Sequence, residues 1–231
     1  MTISAPIFRT RLTDLLRLGH PVLLGGMHHL SDAGYVAAGV RAGAMAYLTA
    51  RSFESSTELK DELQRCHELA QGCPFGVNLT LARRPEQNRD VHVWLDVAQK
   101  QGIRHFETAG NLPTDLVDPI HAADGSVAHK CPRVSHAQIA QRLGCNVVAL
   151  VGHDEGGYPR ANNISSFLKA AIAFARGNIP LVFGGGLGTR SQIAAAIAMG
   201  VDRLMAEAWA CSWRFAAKTV QANLKALHSF H

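Results

Sequence analysis

Short runs of apolar, often β-branched residues alternate along the chain with longer stretches in which apolar residues recur every three or four positions. The short runs are typical of buried strands, and the longer stretches are typical of amphipathic helices. Successive strand starts lie about 26 residues apart, which suits one strand, one helix and two short loops. Eight such units predict a (β/α)8 TIM barrel, with a doubly wound parallel sheet as the alternative. The predicted strands are Val22–Gly26, Met45–Thr49, Phe75–Thr80, His105–Gly110, Ser126–Cys131, Asn146–Gly152, Leu181–Gly185 and Arg203–Ala208.

Capping residues mark where the helices between these strands begin and end. Short polar side chains that accept hydrogen bonds from free helix amides predict starts at Ser31-Asp32, Ser55 to Thr57, Ser135, and Thr189 or Ser191. Glycines that tolerate a left-handed backbone predict ends at Gly43, Gly72, Gly102 and Gly144. A stretch from Cys211 to His228 predicts the eighth helix. No linker or low-complexity tract interrupts the pattern, so residues 1–231 are expected to form a single domain.

Composition narrows the class of protein. Of 231 residues, 47% are apolar and 18% are charged, which favours a globular domain with a large core. The chain has no apolar run long enough to cross a bilayer, and its start lacks the apolar stretch of a signal peptide, so a cytoplasmic protein without membrane contact is expected. The net charge of +5 is scattered without a basic block, which does not indicate nucleic-acid binding.

Neither disulfides nor a metal site is expected. The five cysteines form an odd set without a CxxC pair, so they are interpreted as reduced thiols. Four histidines, His28, His29, His129 and His153, stand near strand ends. Because His28 and His29 are adjacent and would point apart, hydrogen bonding is the favoured interpretation over metal ligation.

In a barrel of this kind, functional groups lie where the strands end, at the carboxyl-terminal face. Gly184-Gly185-Gly186 leads to a predicted helix start, where free amides can hold a phosphate group. Lys130 ends the fifth strand and is suited to neutralising an anionic ring or enolate. On the neighbouring strand, Glu107 would either pair with Lys130 or act as a base. Several acid or base groups, His153, Asp154, Glu155 and Tyr158, follow the sixth strand in a glycine-containing loop.

Several ordered motifs carry a family resemblance. They are PVLLGGM at 21–27, CPFGVNLTL at 73–81, GIRHFETAGN at 102–111, HKCPRVSHA at 129–137, GHDEGGYP at 152–159 and GGLGTRSQIAAAIAMGVD at 185–202. With these motifs the chain resembles the nitronate monooxygenase family, also called 2-nitropropane dioxygenase-like proteins, from about Pro21 to about Met205. The resemblance implies an FMN-dependent barrel enzyme acting on a small molecule. Such an enzyme oxidises an anionic nitronate with flavin and oxygen, or passes hydride from NAD(P)H through the flavin to an acceptor.

The resemblance also implies the roles of individual residues. Carried over by position, Gly25, Gly26 and Met27 would line the isoalloxazine ring. Asn78 and Lys130 would hydrogen-bond the flavin, and the pair Gly185-Gly186 would receive the FMN phosphate. These are residues that the strand-end argument also selects.

The chain departs from the family pattern at three places. Tyr158 stands where the monooxygenases have a catalytic histidine, and a phenol of pKa about 10 is a poor base near neutrality. His153 or Glu155 would then be the base, or Tyr158 would donate a proton. Glu207-Ala208 replaces a Gly-Thr pair at the phosphate cup, where an unscreened anion about 4 Å from the phosphate costs roughly 4 kcal/mol at an effective dielectric near 20. The helical extension usual after the eighth strand is not expected within residues 1–231. The site would then either admit a bulkier substrate or rely on a partner chain of a homo-oligomer for a lid.

Three functions are therefore open. The first is a divergent FMN-dependent oxidoreductase with Lys130, Glu107, His153 and Tyr158 around the substrate. The second is a flavin-free isomerase, dehydratase or cyclase at the same end of the barrel. It would transfer protons with Tyr158, His153, Glu155 and Glu207. The third is a non-catalytic binding protein completed by oligomerisation.

Overall fold

A computed structural model describes residues 10–152, 181–184 and 203–206 of the chain. Their architecture is an α/β fold with a curled parallel sheet. Eight parallel strands hydrogen-bond in chain order, and the sheet closes where the first strand pairs with the last through Leu23 and Met205. The strands are β1 (Val22–Leu24), β2 (Met45–Thr49), β3 (Gly76–Leu81), β4 (His105–Gly110), β5 (Ser126–Cys131), β6 (Val147–Val151), β7 (Leu181–Gly184) and β8 (Arg203–Ala206). Each strand begins and ends within two residues of its predicted bounds. The doubly wound alternative is wrong, because the strands form a closed sheet whereas a doubly wound sheet is open.

Among the described residues, one α-helix precedes β1, and one follows each of β1 to β5. They are α1 (Arg11–Leu16), α2 (Ala33–Arg41), α3 (Ser56–Ala70), α4 (Val91–Lys100), α5 (Val117–Ala122) and α6 (Val134–Arg142). Short 3-10 helices occupy Ala50–Ser52 and Pro85–Asn88. The segments after β6, β7 and β8 lie outside the described residues, so the starts predicted at Thr189 or Ser191 and the last predicted helix are not described.

Most of the predicted helix boundaries are confirmed. Asp32 and Ser55 cap α2 and α3, each accepting a hydrogen bond from a backbone amide of the first turn. All four predicted stop glycines have positive φ angles, between 83° and 94°, which side chains with a Cβ rarely adopt. The predicted start at Ser135 is wrong: α6 begins at Val134 after Arg133, whose side chain makes no capping bond.

Alternate residues of the strands pack into two separate apolar layers. An inner cluster joins Leu23, Tyr47 and Ala149 with Leu12 and Leu16 of α1. An outer cluster joins residues such as Leu48, Val77, Phe106 and Leu150 with the helices α2 to α6. Because successive strand side chains point to opposite faces, the first set lies inside the barrel and the second beneath the helices.

The inner cluster also shows which end of the barrel is closed. Its strand residues include Leu23, Met45 and Val147, which stand at or next to the amino-terminal ends of their strands, and α1 packs against them. Helix α1 therefore closes the amino-terminal end, and the carboxyl-terminal end, called the barrel mouth below, is where polar groups can receive a ligand. No described helix is long and apolar enough to cross a membrane.

Candidate functional site

Three polar side chains stand on the inner face of consecutive strands at the barrel mouth. They are Asn78 on β3, Glu107 on β4 and Lys130 on β5, with exposed fractions of 1%, 0% and 7%. Their sequence neighbours Val77, Phe106 and Cys131 belong to the outer apolar layer, so the pleat turns these three inward. Asn78 and Glu107 are paired in the sheet register, which brings their side chains together.

One carboxylate oxygen joins polar groups of β3, β4, β5 and the segment just after β1. Oε2 of Glu107 accepts a hydrogen bond of 2.9 Å from the backbone N–H of Gly26 and a short one from Nδ2 of Asn78. Nζ of Lys130 lies 3.4 Å from the same oxygen. The Thr80 hydroxyl donates to Oδ1 of Asn78 at 2.7 Å, which fixes the orientation of the amide with its NH2 group toward Glu107.

The energetics of this cluster favour a functional origin. Moving a carboxylate and an ammonium group out of water costs several kcal/mol each, and their attraction offsets this only with good geometry and further hydrogen bonds. Glu107 has those further hydrogen bonds: the Gly26 amide and Nδ2 of Asn78 both donate to its Oε2. Hydrogen bonds of this kind favour the ionised carboxylate, which only accepts. Apolar side chains would fill the same volume at no such cost, so a buried pair at the barrel mouth is a candidate site.

Gly26 is required by the close approach of the neighbouring strands. A Cβ built on Gly26 would lie 2.4 Å from Cβ of Asn78 and 2.8 Å from Oγ1 of Thr49. The absence of a side chain allows the Gly26 amide to reach Glu107. Gly25 is buried and Met27 is half-buried at the start of a turn, in which the Met27 amide donates to Oγ of Ser31 at 2.9 Å.

Thr108 and His129, the sequence neighbours of Glu107 and Lys130, point outward toward the helices. Thr108 and His129 are fully buried, and Oγ1 of Thr108 lies 2.9 Å from Nδ1 of His129. The His129 ring packs edge-on to His136 of α6, at 5.5 Å between ring centroids, so it belongs to the layer under the helices. His129 and Lys130 are thus adjacent in sequence and lie on opposite faces of β5.

His28 and His29 lie at the surface of the loop after β1. The expectation that the two side chains point apart is wrong, because their ring centroids are 3.8 Å apart. Nε2 of His28 is 3.2 Å from the carbonyl oxygen of Arg51, and the His29 amide donates to Oγ of Ser52. Their contacts join this loop to the segment after β2. Within the described parts of the chain, no three His, Cys, Asp or Glu side chains are grouped to hold a metal ion.

Sequence reasoning missed Arg51. Its Nη2 donates to the carbonyl oxygens of Thr80, at the end of β3, and Gln87, in the following 3-10 helix. Arg51 thereby joins the segments after β2 and β3 at the edge of the barrel mouth. Its place directly after a predicted strand was the available signal, but an arginine there does not reveal which carbonyls it will reach.

The remaining predicted site residues lie outside the described residues. They are His153, Asp154, Glu155, Tyr158, Gly185, Gly186 and Glu207. The structure does show where the first of their loops begins. Lys130 pairs in register with Ala149 of β6, so the chain that leaves β6 at Val151 starts beside the strand that carries Lys130.

The parallel strands, their chain-order pairing and the polar groups at one end define an α/β protein with a curled parallel sheet and a candidate site at the carboxyl ends of its strands. The match to a family model is more specific: the nitronate monooxygenase model covers residues 9–210. The chain belongs to the nitronate monooxygenase family, which confirms the resemblance read from the motifs.

Individual relatives support the same kinship. A (3aS,4S,5R,7aS)-5-hydroxy-7a-methyl-1-oxo-octahydro-1H-indene-4-carboxyl-CoA dehydrogenase of Rhodococcus jostii is 26% identical over 192 residues, 83% of this chain and 52% of that protein. FabK from Thermotoga maritima superposes with a TM-score of 0.78 at 25% identity, covering 88% of this chain and 62% of that one. A nitroalkane oxidase from Streptomyces ansochromogenes gives a TM-score of 0.73 at 20% identity, over 85% and 66%, and shows the fold alone. The chain spans about half the length of the curated dehydrogenase.

Proposed function

We propose that the protein is a flavin-dependent oxidoreductase that binds FMN at the mouth of a complete (β/α)8 barrel formed by a single domain. The observation that carries the proposal is the ammonium group of Lys130 and the amide of Asn78, both held on the inner face of the barrel by Glu107. The family match and the dehydrogenase name of the relative from Rhodococcus jostii support the same reaction class.

The residues at the mouth fit an isoalloxazine ring. Such a ring presents carbonyl oxygens and ring nitrogens that gain negative charge on reduction, and Lys130 and Asn78 supply a cation and an amide donor. Only one of the two Asn78 Nδ2 hydrogens is needed for Glu107. Gly25 and Gly26 carry no side chain at the end of β1, where a flat ring needs close approach to the backbone. With Met27 beside them, these residues are the proposed ring-binding set.

When bound, FMN would take two electrons from a substrate or from NAD(P)H and pass them to an acceptor. The chain's own part is binding and proton handling. We assign the phosphate to Gly185 and Gly186, and proton transfer to Tyr158, His153 or Glu155 in the loop after β6. The register of β5 and β6 supports this second assignment, because that loop starts next to the strand of Lys130.

The substrate is proposed to be a small molecule that reacts by hydride or single-electron transfer. Nitronates and NAD(P)H with a quinone are the first substrates to test, because the family includes nitronate monooxygenases. An acyl-CoA ester is the next, since the dehydrogenase from Rhodococcus jostii acts on a carboxyl-CoA compound by its name.

The visible absorbance spectrum of the purified protein tests the proposal. FMN is added in excess and the protein is desalted; two flavin bands that remain on the protein are the expected result. Lys130→Met should weaken FMN binding by about tenfold or more, because a charged hydrogen bond contributes about 1.5–3 kcal/mol. Lys100→Met is the matched control: it removes a lysine from an exposed pair with Asp96 on α4, and retention should be unchanged.

A protein that stays colourless and releases added FMN would contradict this proposal. Proton-transfer chemistry without flavin would then be the leading function, with Tyr158 as its acid or base. In that case Tyr158→Phe should abolish turnover while the melting temperature stays within a few degrees of the parent protein.

A further inference from the structure

We infer that Glu107 is a positioning residue that holds the Lys130 ammonium group and the Asn78 amide at the barrel mouth and, through its negative charge, lowers the electron affinity of the flavin. The second half of this inference rests on the proposed function. The first half concerns the protein alone and can be tested without flavin.

The contacts of Glu107 argue against a role as proton acceptor. Its Oε2 faces three donors at once, the Gly26 amide, Nδ2 of Asn78 and Nζ of Lys130. A proton placed on that oxygen would face donors where acceptors are needed, so Oε2 cannot take up a proton without losing these contacts. The side chain also has an exposed fraction of 0%, whereas a general base must come within hydrogen-bond reach of the substrate proton.

The same contacts show what the carboxylate does for the strands. It lies on β4 and joins groups of β3, β5 and the segment just after β1, so one side chain sets the relative positions of the polar groups at the mouth. A lysine has four rotatable bonds and would otherwise place its ammonium group loosely. With Nζ 3.4 Å from a fixed oxygen, Lys130 instead presents its charge at one location.

The charge of Glu107 has a further effect. A carboxylate close to an ammonium group opposes its field, and the opposition is large where water is excluded. A reduced flavin carries more negative charge than the oxidised form, so it is stabilised more by an unopposed cation. Glu107 therefore lowers the preference of the site for reduced flavin, and its replacement by a neutral isostere should raise that preference.

Glu107→Gln tests this effect on the flavin potential, with Asp96→Asn as matched control. Both substitutions convert a carboxylate next to a lysine to an amide, but the Asp96–Lys100 pair is exposed on α4. In Glu107→Gln, the ratio of oxidised to reduced FMN dissociation constants should rise about tenfold, which equals a midpoint shift of about +30 mV for two electrons. Asp96→Asn should leave the midpoint unchanged. An unchanged or lowered midpoint in Glu107→Gln would overturn the inference that the charge of Glu107 lowers the electron affinity of the flavin.

Amine acylation followed by mass spectrometry tests the positioning half without flavin. Acylation of Lys130 in the flavin-free protein should be several-fold faster in Glu107→Gln than in the parent chain, while Lys100 in the same sample serves as internal reference. An unchanged rate at Lys130 would overturn the positioning role whether or not FMN binds. If Lys130 responds but the parent protein holds no FMN, the positioning role stands and the proposed function fails.

A second variant keeps the test decisive if Glu107→Gln does not fold. Glu107→Asp retains the negative charge and withdraws it by one methylene group. Lys130 should again be acylated faster, and the FMN midpoint should move less than the charge-removing variant predicts. A midpoint shift in Glu107→Asp without faster acylation would contradict the positioning role.

Discussion

Thr108 of β4 and His129 of β5 meet on the outer face of the barrel, with Oγ1 of Thr108 2.9 Å from Nδ1 of His129. On the inner face of the same two strands, the side chains of Glu107 and Lys130 form the buried ion pair. Two adjacent strands thus carry two polar pairs that are neighbours in sequence and separated by the sheet itself. Only the inner pair belongs to the barrel mouth.

The outer pair makes stability depend on pH. Burial, together with the nearby His136, lowers the pKa of His129 from 6.5 to about 4. In the unfolded chain the imidazole takes up a proton at about pH 6.5, so between pH 6.5 and 4 the unfolded state binds more protons than the folded one. The free energy of unfolding should therefore be highest above pH 6.5. It should fall by about 3 kcal/mol as the pH drops from 6.5 to 4.

Urea unfolding at several pH values measures this dependence. His129→Asn keeps a polar group near Thr108 and removes the titration, so it should flatten the stability loss between pH 6.5 and 4. His92→Asn, on the exposed side of α4, is the control and should keep the parent slope. An equal slope in His129→Asn and the parent protein would show that another group carries the pH dependence.

Much of this arrangement follows from sequence patterns, and the exceptions have physical reasons. Apolar runs and stop glycines predicted the strands and four helix ends because both depend on local backbone preferences. Helix α1 was missed: it has only six residues, and its leucines matter because they close the amino-terminal end of the barrel, which is a tertiary effect. The start of α6 was misplaced because the helix begins at Val134 without a side-chain cap.

At the candidate site, the sequence predicted which strands carry inward polar groups but not which side chains meet. Lys130 and Glu107 were predicted as neighbours, and the structure confirms the pair. That Asn78 and the Gly26 amide share one oxygen of Glu107 depends on the strand register and stagger, which no local pattern encodes. For the same reason, the sequence did not reveal that Arg51 would donate to the carbonyl oxygens of Thr80 and Gln87.

The cysteines should differ strongly in reactivity. Burial raises the pKa of the Cys66 and Cys145 thiols to about 12, and it raises that of Cys131 further. Because the thiolate is the reactive form, these three should be nearly inert to a disulfide reagent at neutral pH. Cys73 is half-buried and should react first among the four cysteines that the structure describes.

Mass spectrometry after a short exposure to the reagent identifies the modified sites. Label on Cys73 with little on Cys66, Cys131 and Cys145 is the expected result, and Cys73→Ser should remove it. Rapid labelling of Cys131 in the folded protein would mean that β5 opens far more often than its burial indicates.

Arg51 should stabilise the edge of the barrel mouth. Loss of its guanidinium group removes the hydrogen bonds to the carbonyls of Thr80 and Gln87. Arg51→Ala should lower the free energy of unfolding by about 1–3 kcal/mol and speed amide exchange of the segment from 82 to 90. Arg51→Lys should recover only part of the stability, because an ammonium group lacks the planar fork of arginine. Arg84→Ala, an exposed arginine of the same segment, is the control and should change stability by less than about 0.5 kcal/mol.

Gly26 links packing to the proposed function. An alanine Cβ at this position would lie 2.4 Å from Cβ of Asn78 and 2.8 Å from Oγ1 of Thr49, so Asn78 must shift from the position in which it donates to Glu107. Gly26→Ala should cost about 1–3 kcal/mol of stability, as overpacked cores do. Asn78 and Lys130 both contact the carboxylate of Glu107. The shift should therefore also weaken FMN binding by more than the lost stability alone explains.

Gly34→Ala separates the two effects as the matched glycine control. Gly34 lies in α2, where the nearest atom to a built Cβ is Oδ1 of Asp32 at 3.5 Å, an ordinary contact. This substitution should raise stability by about 0.5–1 kcal/mol through the better helix propensity of alanine and leave FMN retention unchanged. Thermal unfolding and FMN titration of both variants decide the matter: if Gly26→Ala binds FMN as tightly as Gly34→Ala, the end of β1 does not contribute to the flavin site.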